Sequence, residues 1–363
     1  MVVVFAVAVE VTRHWTLNEY AITPGNATPI EPLVHVSGLT TESHHDTIML
    51  TDVYLEQLTA WRYFTLHFQS HVQFVSASQL LDPGVPASEL AAQGYLEMSD
   101  SKQDAEVSAF SSLGWRLKST PVGALVTAVP AGTPASVAKI KVADRIVSFD
   151  GSSVRTTCDL TRDLHPVSPR STVHLGVDKA HISAKGVITW AQETTVTLQT
   201  AASPRALASS GCAGVSGSNS SWLGLGLEGA TSYAFPAKVS INTNDIGGPS
   251  AGLAMTLCII DQLSRHSITG GAKIAATGTI DQLGNVGDVG GVAEKTVAVQ
   301  RAGAKYFIVP EVEVATAKAN AAPGLTVIGV NTLSQALRAL RSIGGAKPVP
   351  LSAAKPFLKD PKS

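Results

Sequence analysis

The order of apolar and polar positions divides the chain into stretches of distinct character. Val2 to Val9 is an unbroken apolar run closed by Glu10. It is shorter than the ~20 residues that cross a bilayer, and reads either as a buried first strand or as the tail of a longer apolar segment. Tyr20 to Pro32 contains Pro24, Gly25, Pro29 and Pro32, which forbid a long helix and predict an extended connector. Leu33, Val34 and Val36, and then Thr47 to Val53, have strand composition. Ser101 to Phe110 consists of helix formers and ends just before Gly114.

From residue 115 to 200 the pattern changes. Short Val, Ile and Thr runs (Ala124 to Val129, Arg145 to Phe149, Thr172 to Val177, Thr194 to Gln199) alternate with Gly, Pro and Asp turns, which predicts a compact, mostly β module. Residues 201–221 are rich in Ser, Gly and Ala and read as a linker. Beyond it, strands are predicted at Lys238 to Asn242, Ile274 to Thr277, Tyr306 to Val309 and Thr326 to Val330. Helices are predicted near Val292 to Ala302, with Gly303 able to close it, and at Leu333 to Arg341, headed by Thr332 and Gln335 at capping-box spacing. Ser250 to Leu263 is a helix apolar on nearly every face and is expected to be buried. Residues 346–363 hold four Pro and four Lys and read as a disordered tail.

Composition narrows the classes. A chain of 363 residues suggests two or three folded units. Lys plus Arg number 27 against 28 Asp plus Glu, a formal net charge of -1, so no basic field exists to gather nucleic acid. Cys158, Cys212 and Cys258 are too far apart for a disulfide framework or a CxxC-type zinc site, and allow at most one bridge. No GxxxxGK[ST] run occurs, so these residues contain no P-loop. Gly224, Gly226 and Gly229 spell GxGxxG, but strand composition and Pro236 follow where a dinucleotide site needs a helix. His44, His45 and Asp46 read as a polar loop without a third metal ligand. No cofactor is expected.

The chemistry concentrates after residue 244. Gly248 to Gly252 is GxSxG, a form that places a serine at a helix start. A Ser-His hydrolase needs a histidine base, but the only one beyond Ser250 is His266. The predicted helix would hold it more than ~20 Å away at ~1.5 Å rise per residue. An esterase of the α/β-hydrolase type would therefore depend on an upstream histidine. Of the eight lysines after Ser250, Lys295 differs from the rest. It lies in the first turns of a helix introduced by Gly287, Asp288, Val289, Gly290 and Gly291, among Val292, Ala293, Val297 and Ala298. Apolar surroundings and the positive end of the helix dipole both favour a neutral amine. Lowering its pKa from about 10.4 to near 7 costs roughly 4 to 5 kcal/mol, which is feasible for a buried lysine.

GGPSAGLA at Gly247 to Ala254, ATGTI at Ala276 to Ile280 and GNVGDVGGVAEK at Gly284 to Lys295 resemble the proteolytic domain of Lon-type proteases over Ile241 to Leu340. The resemblance implies a Ser-Lys dyad of Ser250 and Lys295, with Thr277 orienting the lysine. Many members carry Asp three residues before the serine, where this chain has Gly247. Asp245 lies two residues further back, and its part is left open. Gly123 to Val126, AVPAGTPAS at Ala128 to Ser136 and DRIVSFDGSSV at Asp144 to Val154 look like a PDZ domain, in which Gly123, Ala124, Leu125 and Val126 would hold a peptide carboxylate. Ala143 stands where a glycine is usual.

The combination resembles bacterial PDZ-containing Lon-like serine proteases, which implies an α+β chain organised as follows: 1–12, remnant of an N-terminal membrane anchor; 13–114, an α/β segment packing with the protease domain; 115–200, PDZ; 201–221, linker; 222–345, Lon-like proteolytic domain; 346–363, tail. The implied activity is ATP-independent serine endopeptidase action on peptides or unfolded proteins, outside the cytoplasm and membrane-anchored. Backbone amides at Gly248 and Ser250 would form the oxyanion hole. A homo-oligomer is implied by the rings that Lon-like domains form. The alternative is a non-catalytic PDZ/Lon-like peptide-binding scaffold.

Overall fold

The computed structural model describes residues 10, 12–44, 47–81, 84–203, 212, 213, 215 and 220–351. The Val2 to Val9 run, His45, Asp46, most of the linker and the tail beyond 351 lie outside the described residues. The N-terminal part supplies β1 (Thr16–Pro29), β2 (Val34–Ser37), β3 (Thr47–Thr59), α1 (Ala60–Leu66), β4 (Gln73–Ser76) and the long helix α2 (Leu90–Ser112). The proline-containing connector is thus a strand. β1 pairs antiparallel with β3 from Thr16 opposite Thr59 to Pro29 opposite Met49, with a register shift between Pro24 and Ala27. A bulge of this kind is where a sheet tolerates a proline. α2 extends one end of the predicted Ser101 to Phe110 helix back to Leu90, so that its first turns reach the region of Ser250.

A second unit follows: β5 (Lys118–Ala128), β6 (Arg145–Phe149), α3 (Thr157–Leu164), β7 (Thr172–Ile182), β8 (Ile188–Gln199) and β9 (Gly226–Ala234). The strands form an antiparallel sheet in the order β9-β5-β6-β7-β8, closed on Val126, Ile146, Phe149, Leu160 and Leu175. Thr156 caps α3: its hydroxyl accepts from the Asp159 amide while the Asp159 carboxylate accepts from the Thr156 amide. Cys158 on α3 is bonded to Cys212 of the linker, and Cys258 is free and buried. The GxGxxG glycines run into β9, a strand, so no helix stands ready for a pyrophosphate.

The C-terminal part contributes β10 (Lys238–Ile241), α4 (Gly252–Leu263), β11 (Lys273–Ala276), α5 (Val292–Arg301), β12 (Tyr306–Pro310), α6 (Val314–Asn320), β13 (Thr326–Val330) and α7 (Leu333–Ser342). β11, β12 and β13 join β1, β3 and β4 in one sheet ordered β13-β12-β11-β3-β1-β4, with β13, β12, β11 and β3 parallel. All twelve residues of α4 are buried, as its uniformly apolar faces require. Met98, Ala105, Ala109 and Phe110 of α2 share its core with Leu253, Leu257 and Ile260. The N-terminal part is therefore structurally inseparable from the C-terminal sheet, and it walls one side of the site described next.

Candidate active site

Ser250 stands in the turn immediately before α4. Gly248 has φ +83°, a left-handed conformation that glycine adopts without strain, and this bend brings the Ser250 carbonyl over the end of β11. That carbonyl accepts from the Gly278 amide at 3.0 Å and from the Thr277 hydroxyl at 3.2 Å. On the opposite wall, Gly291 (φ +68°) starts α5, and Lys295 follows in its first turns. The Lys295 side chain is 2% exposed, and its Nζ donates to Thr277 Oγ1 at 3.3 Å. One buried hydroxyl therefore links the amine of Lys295 to the backbone of Ser250. Ser250 and Lys295 both line a cavity of about 1030 Å³, shared with Asp52, Gly94, Asp245 and Gly248.

Burial pushes the Lys295 ammonium down to about 8, against the opposing pull of the Glu313 and Asp52 carboxylates. A lysine with that proton affinity is a competent base near neutrality. Asp52 and Glu313 are not singled out by the sequence. Burial raises the pKa of each, offset by one backbone hydrogen bond apiece, from Asn26 to Asp52 at 2.8 Å and from Val289 to Glu313 at 2.8 Å. The one signal available for Asp52 is a carboxylate inside an apolar strand run, opposite a Gly-Asn pair in β1.

Gly25 makes room for it: a Cβ there would meet the Asp52 carboxylate and lie 2.7 Å from the Asp52 carbonyl oxygen. Gly25→Ala is expected to destabilise the fold by on the order of 1–3 kcal/mol through overpacking, read as a lower urea midpoint. It should also displace Asp52 and move the acid limb of any Lys295-dependent activity.

Other candidate residues fall elsewhere. His266 is exposed beyond the far end of α4, and the His44 ring bonds the Ser264 carbonyl at 3.0 Å; neither faces Ser250. Among the described residues no group of His, Cys, Asp and Glu forms a metal-holding cluster. Two expectations need correction. The Gly248 amide is already engaged, donating to the Gly94 carbonyl of α2 at 2.7 Å. The approach is this close because Gly247 lacks a side chain where α2 crosses the turn: a Cβ there would lie 3.2 Å from the Gly94 carbonyl carbon. Among the described residues the Ser250 amide makes no such bond, so of the two proposed oxyanion donors this is the one left open. The Gly123 to Val126 stretch is not a carboxylate-holding loop. It lies inside β5, with the Gly123 and Val126 amides given to the Arg155 and Asp144 carbonyls. The outer edge of β5 is taken by β9, antiparallel from Gly226 opposite Ala128 to Ala234 opposite Lys118, and α3 packs on both strands. The chain's own return strand occupies the edge at which an added peptide would pair.

Comparison with known proteins bears on both units. The family model of the Lon protease (S16) C-terminal proteolytic domain matches residues 242–341, and the PDZ domain model matches residues 111–198. The Lon protease of Ureaplasma parvum serovar 3 is 44% identical over 63 residues, 17% of this chain and 8% of that protein. The Lon protease of Clostridioides difficile is 44% identical over 64 residues, 18% of this chain and 8% of that protein. This chain thus spans less than a tenth of the length of these relatives. The crystal structure of the PDZ domain of an SdrC-like protein from Listeria monocytogenes aligns with 29% of this chain and 87% of its own, at 14% identity and a TM-score of 0.21.

Proposed function

We propose, for a chain that carries a Lon-type proteolytic domain and a PDZ domain in one α+β architecture, that it is an ATP-independent serine endopeptidase acting through Ser250 and Lys295. The observation that carries this reading is the buried Lys295–Thr277–Ser250 chain of contacts opening on one cavity. Ser250 Oγ attacks the scissile carbonyl carbon, and neutral Lys295 takes its proton. As the tetrahedral intermediate collapses, the C–N bond breaks and the Lys295 ammonium protonates the leaving amine, leaving an acyl-enzyme. Water then attacks the ester, with Lys295 again accepting and returning the proton. Thr277 fixes the amine, and the Ser250 amide at the head of α4 stabilises the oxyanion.

Peptides and unfolded protein segments fit both domains. A peptide recognised at β5 enters this reading by exchanging with β9. Protease and PDZ units on one chain would then couple recognition to cleavage, and self-association remains a proposal carried only by the likeness to Lon-type domains. The Cys158–Cys212 disulfide supports an oxidising, extracytoplasmic compartment, and the Val2 to Val9 run supports membrane attachment. Among the described residues no helix is long and apolar enough to cross a membrane.

The occupied Gly248 amide favours a second reading, a scaffold that binds peptides without cleaving them. A serine-reactive phosphonate probe separates the two. The enzyme reading expects covalent labelling that disappears in Ser250→Ala, together with loss of cleavage of an unfolded substrate. Unlabelled wild-type protein, or cleavage retained in Ser250→Ala, rejects the assignment.

A further inference from the structure

At the Thr16–Thr59 end of the paired strands β1 and β3, α1 reads Ala-Trp-Arg-Tyr-Phe-Thr-Leu. Its inner side is anchored: Leu66 is buried, and Tyr63 meets His67 and Phe74 in ring contacts of 4.6 and 5.1 Å. Among the described residues nothing covers its outer side. Trp61 and Phe64 follow at the i, i+3 spacing that puts residues on one helix face, and Phe68 continues the row in the turn past the helix end, with ring centroids 6.3 Å apart for Trp61–Phe64 and 5.2 Å for Phe64–Phe68. Trp15 adjoins them, its carbonyl accepting from the Ala60 amide at 2.9 Å. Phe64, Phe68 and Trp15 are 59%, 77% and 62% exposed. A contiguous aromatic face on this scale marks a docking surface.

The chain itself indicates the occupant. The apolar run Val2 to Val9 ends at Glu10, five residues before Trp15 in the sequence. Tryptophan and other aromatic side chains favour the boundary between lipid and water. Two arginines border the face: Arg13 lies 6.0 Å from the Trp61 ring centroid and 3.7 Å from Glu10, and Arg62 is paired with Glu56 at 2.7 Å. We propose that the face formed by Trp15, Trp61, Phe64 and Phe68 rests in the interfacial layer of a lipid bilayer and holds the cavity near the membrane surface. Asp52 and Thr59 lie on the same strand, seven residues apart, which at ~3.3 Å per residue keeps the cavity within about 23 Å of α1 along β3. Segments of substrate emerging from the membrane are then the ones within reach. This rests on the membrane-attached reading above.

The test uses the full chain with phosphatidylcholine vesicles brominated on their acyl chains, whose bromines quench tryptophan only on contact. The chain has five tryptophans. Co-flotation with vesicles reports attachment, and quenching reports docking. Docking predicts that Trp15→Phe/Trp61→Phe removes most of the quenching, whereas Trp115→Phe and Trp190→Phe do not. It also predicts that Phe64→Ser/Phe68→Ser, on an exposed face, suppresses quenching while co-flotation persists. Co-flotation with no quenching at Trp15 and Trp61 overturns the docking alone. Failure to float overturns attachment and docking together. If the Phe64→Ser/Phe68→Ser variant instead lowers the sedimenting mass without changing quenching, the face joins two copies of the chain and the proposal is wrong.

Discussion

Lys295→Met is expected to abolish peptide hydrolysis and at the same time make the folded protein more stable at pH 7 by about 3 kcal/mol, the equivalent of lowering a lysine from 10.5 to about 8. The sign follows from linkage. Between about 8 and 10.5 the unfolded chain binds a proton at this site that the folded chain has released, so stability rises with pH across that window. Below about 8 the fold carries the whole cost of a buried ammonium. Methionine has a similar length and no charge, and Thr277 keeps its bond to the Ser250 carbonyl. The stability gain, measured by urea unfolding, should therefore be largest at pH 7 and shrink as pH approaches 10.5. A variant equally destabilised at both pH values would show that Lys295 is not held against its charge.

With Lys295 as the proposed base, turnover should rise as pH increases through about 8, where the amine becomes neutral. Glu313 pulls in the opposite direction, favouring the charged amine. Glu313→Gln keeps an acceptor for the Val289 amide but removes the negative charge, and should move the rising limb to lower pH.

Ser250 and Lys295, the pair proposed to be catalytic, stand out in the sequence because their surroundings are local. Glycines bend the chain before Ser250 and start the helix of Lys295, and the apolar faces of α4 announce its burial. What surrounds the pair comes from parts of the chain far away in sequence. Asp52 reaches the site because β3 lies beside β11 in register, Lys273 opposite Thr47, and no periodicity encodes that pairing. Gly94 reaches it because α2 starts eleven residues before the helix-forming stretch at Ser101, behind a turn at Ala87–Glu89. The β-rich unit shows the same division. Its inner strands follow from Val, Ile and Thr runs, whereas β9, Gly-rich and preceded by a linker, becomes a strand only because β5 offers it an edge.

The contact between α2 and the serine turn predicts a second large effect. With the Gly248 amide given to Gly94, the proposed oxyanion hole keeps one donor, at Ser250, and removing such a donor elsewhere costs ~10²–10³ in rate. A Cβ at position 247, where many Lon-type domains carry aspartate, would lie 3.2 Å from the Gly94 carbonyl carbon and 3.3 Å from its oxygen. Gly247 is absent from the left-handed region, so alanine adds no backbone strain there; α2 must yield or its bond to Gly248 must lengthen. Gly247→Ala is accordingly expected to expose the Gly248 amide to faster hydrogen exchange and to raise the single-turnover acylation rate, by as much as ~10² if Gly248 completes the hole. Gly94→Ala places its Cβ 3.7 Å from Gly247 Cα, an ordinary contact, and should leave both readouts near wild type. Faster exchange at Gly248 without faster acylation would mean that α2 braces the turn and that the oxyanion is held by the Ser250 amide without Gly248.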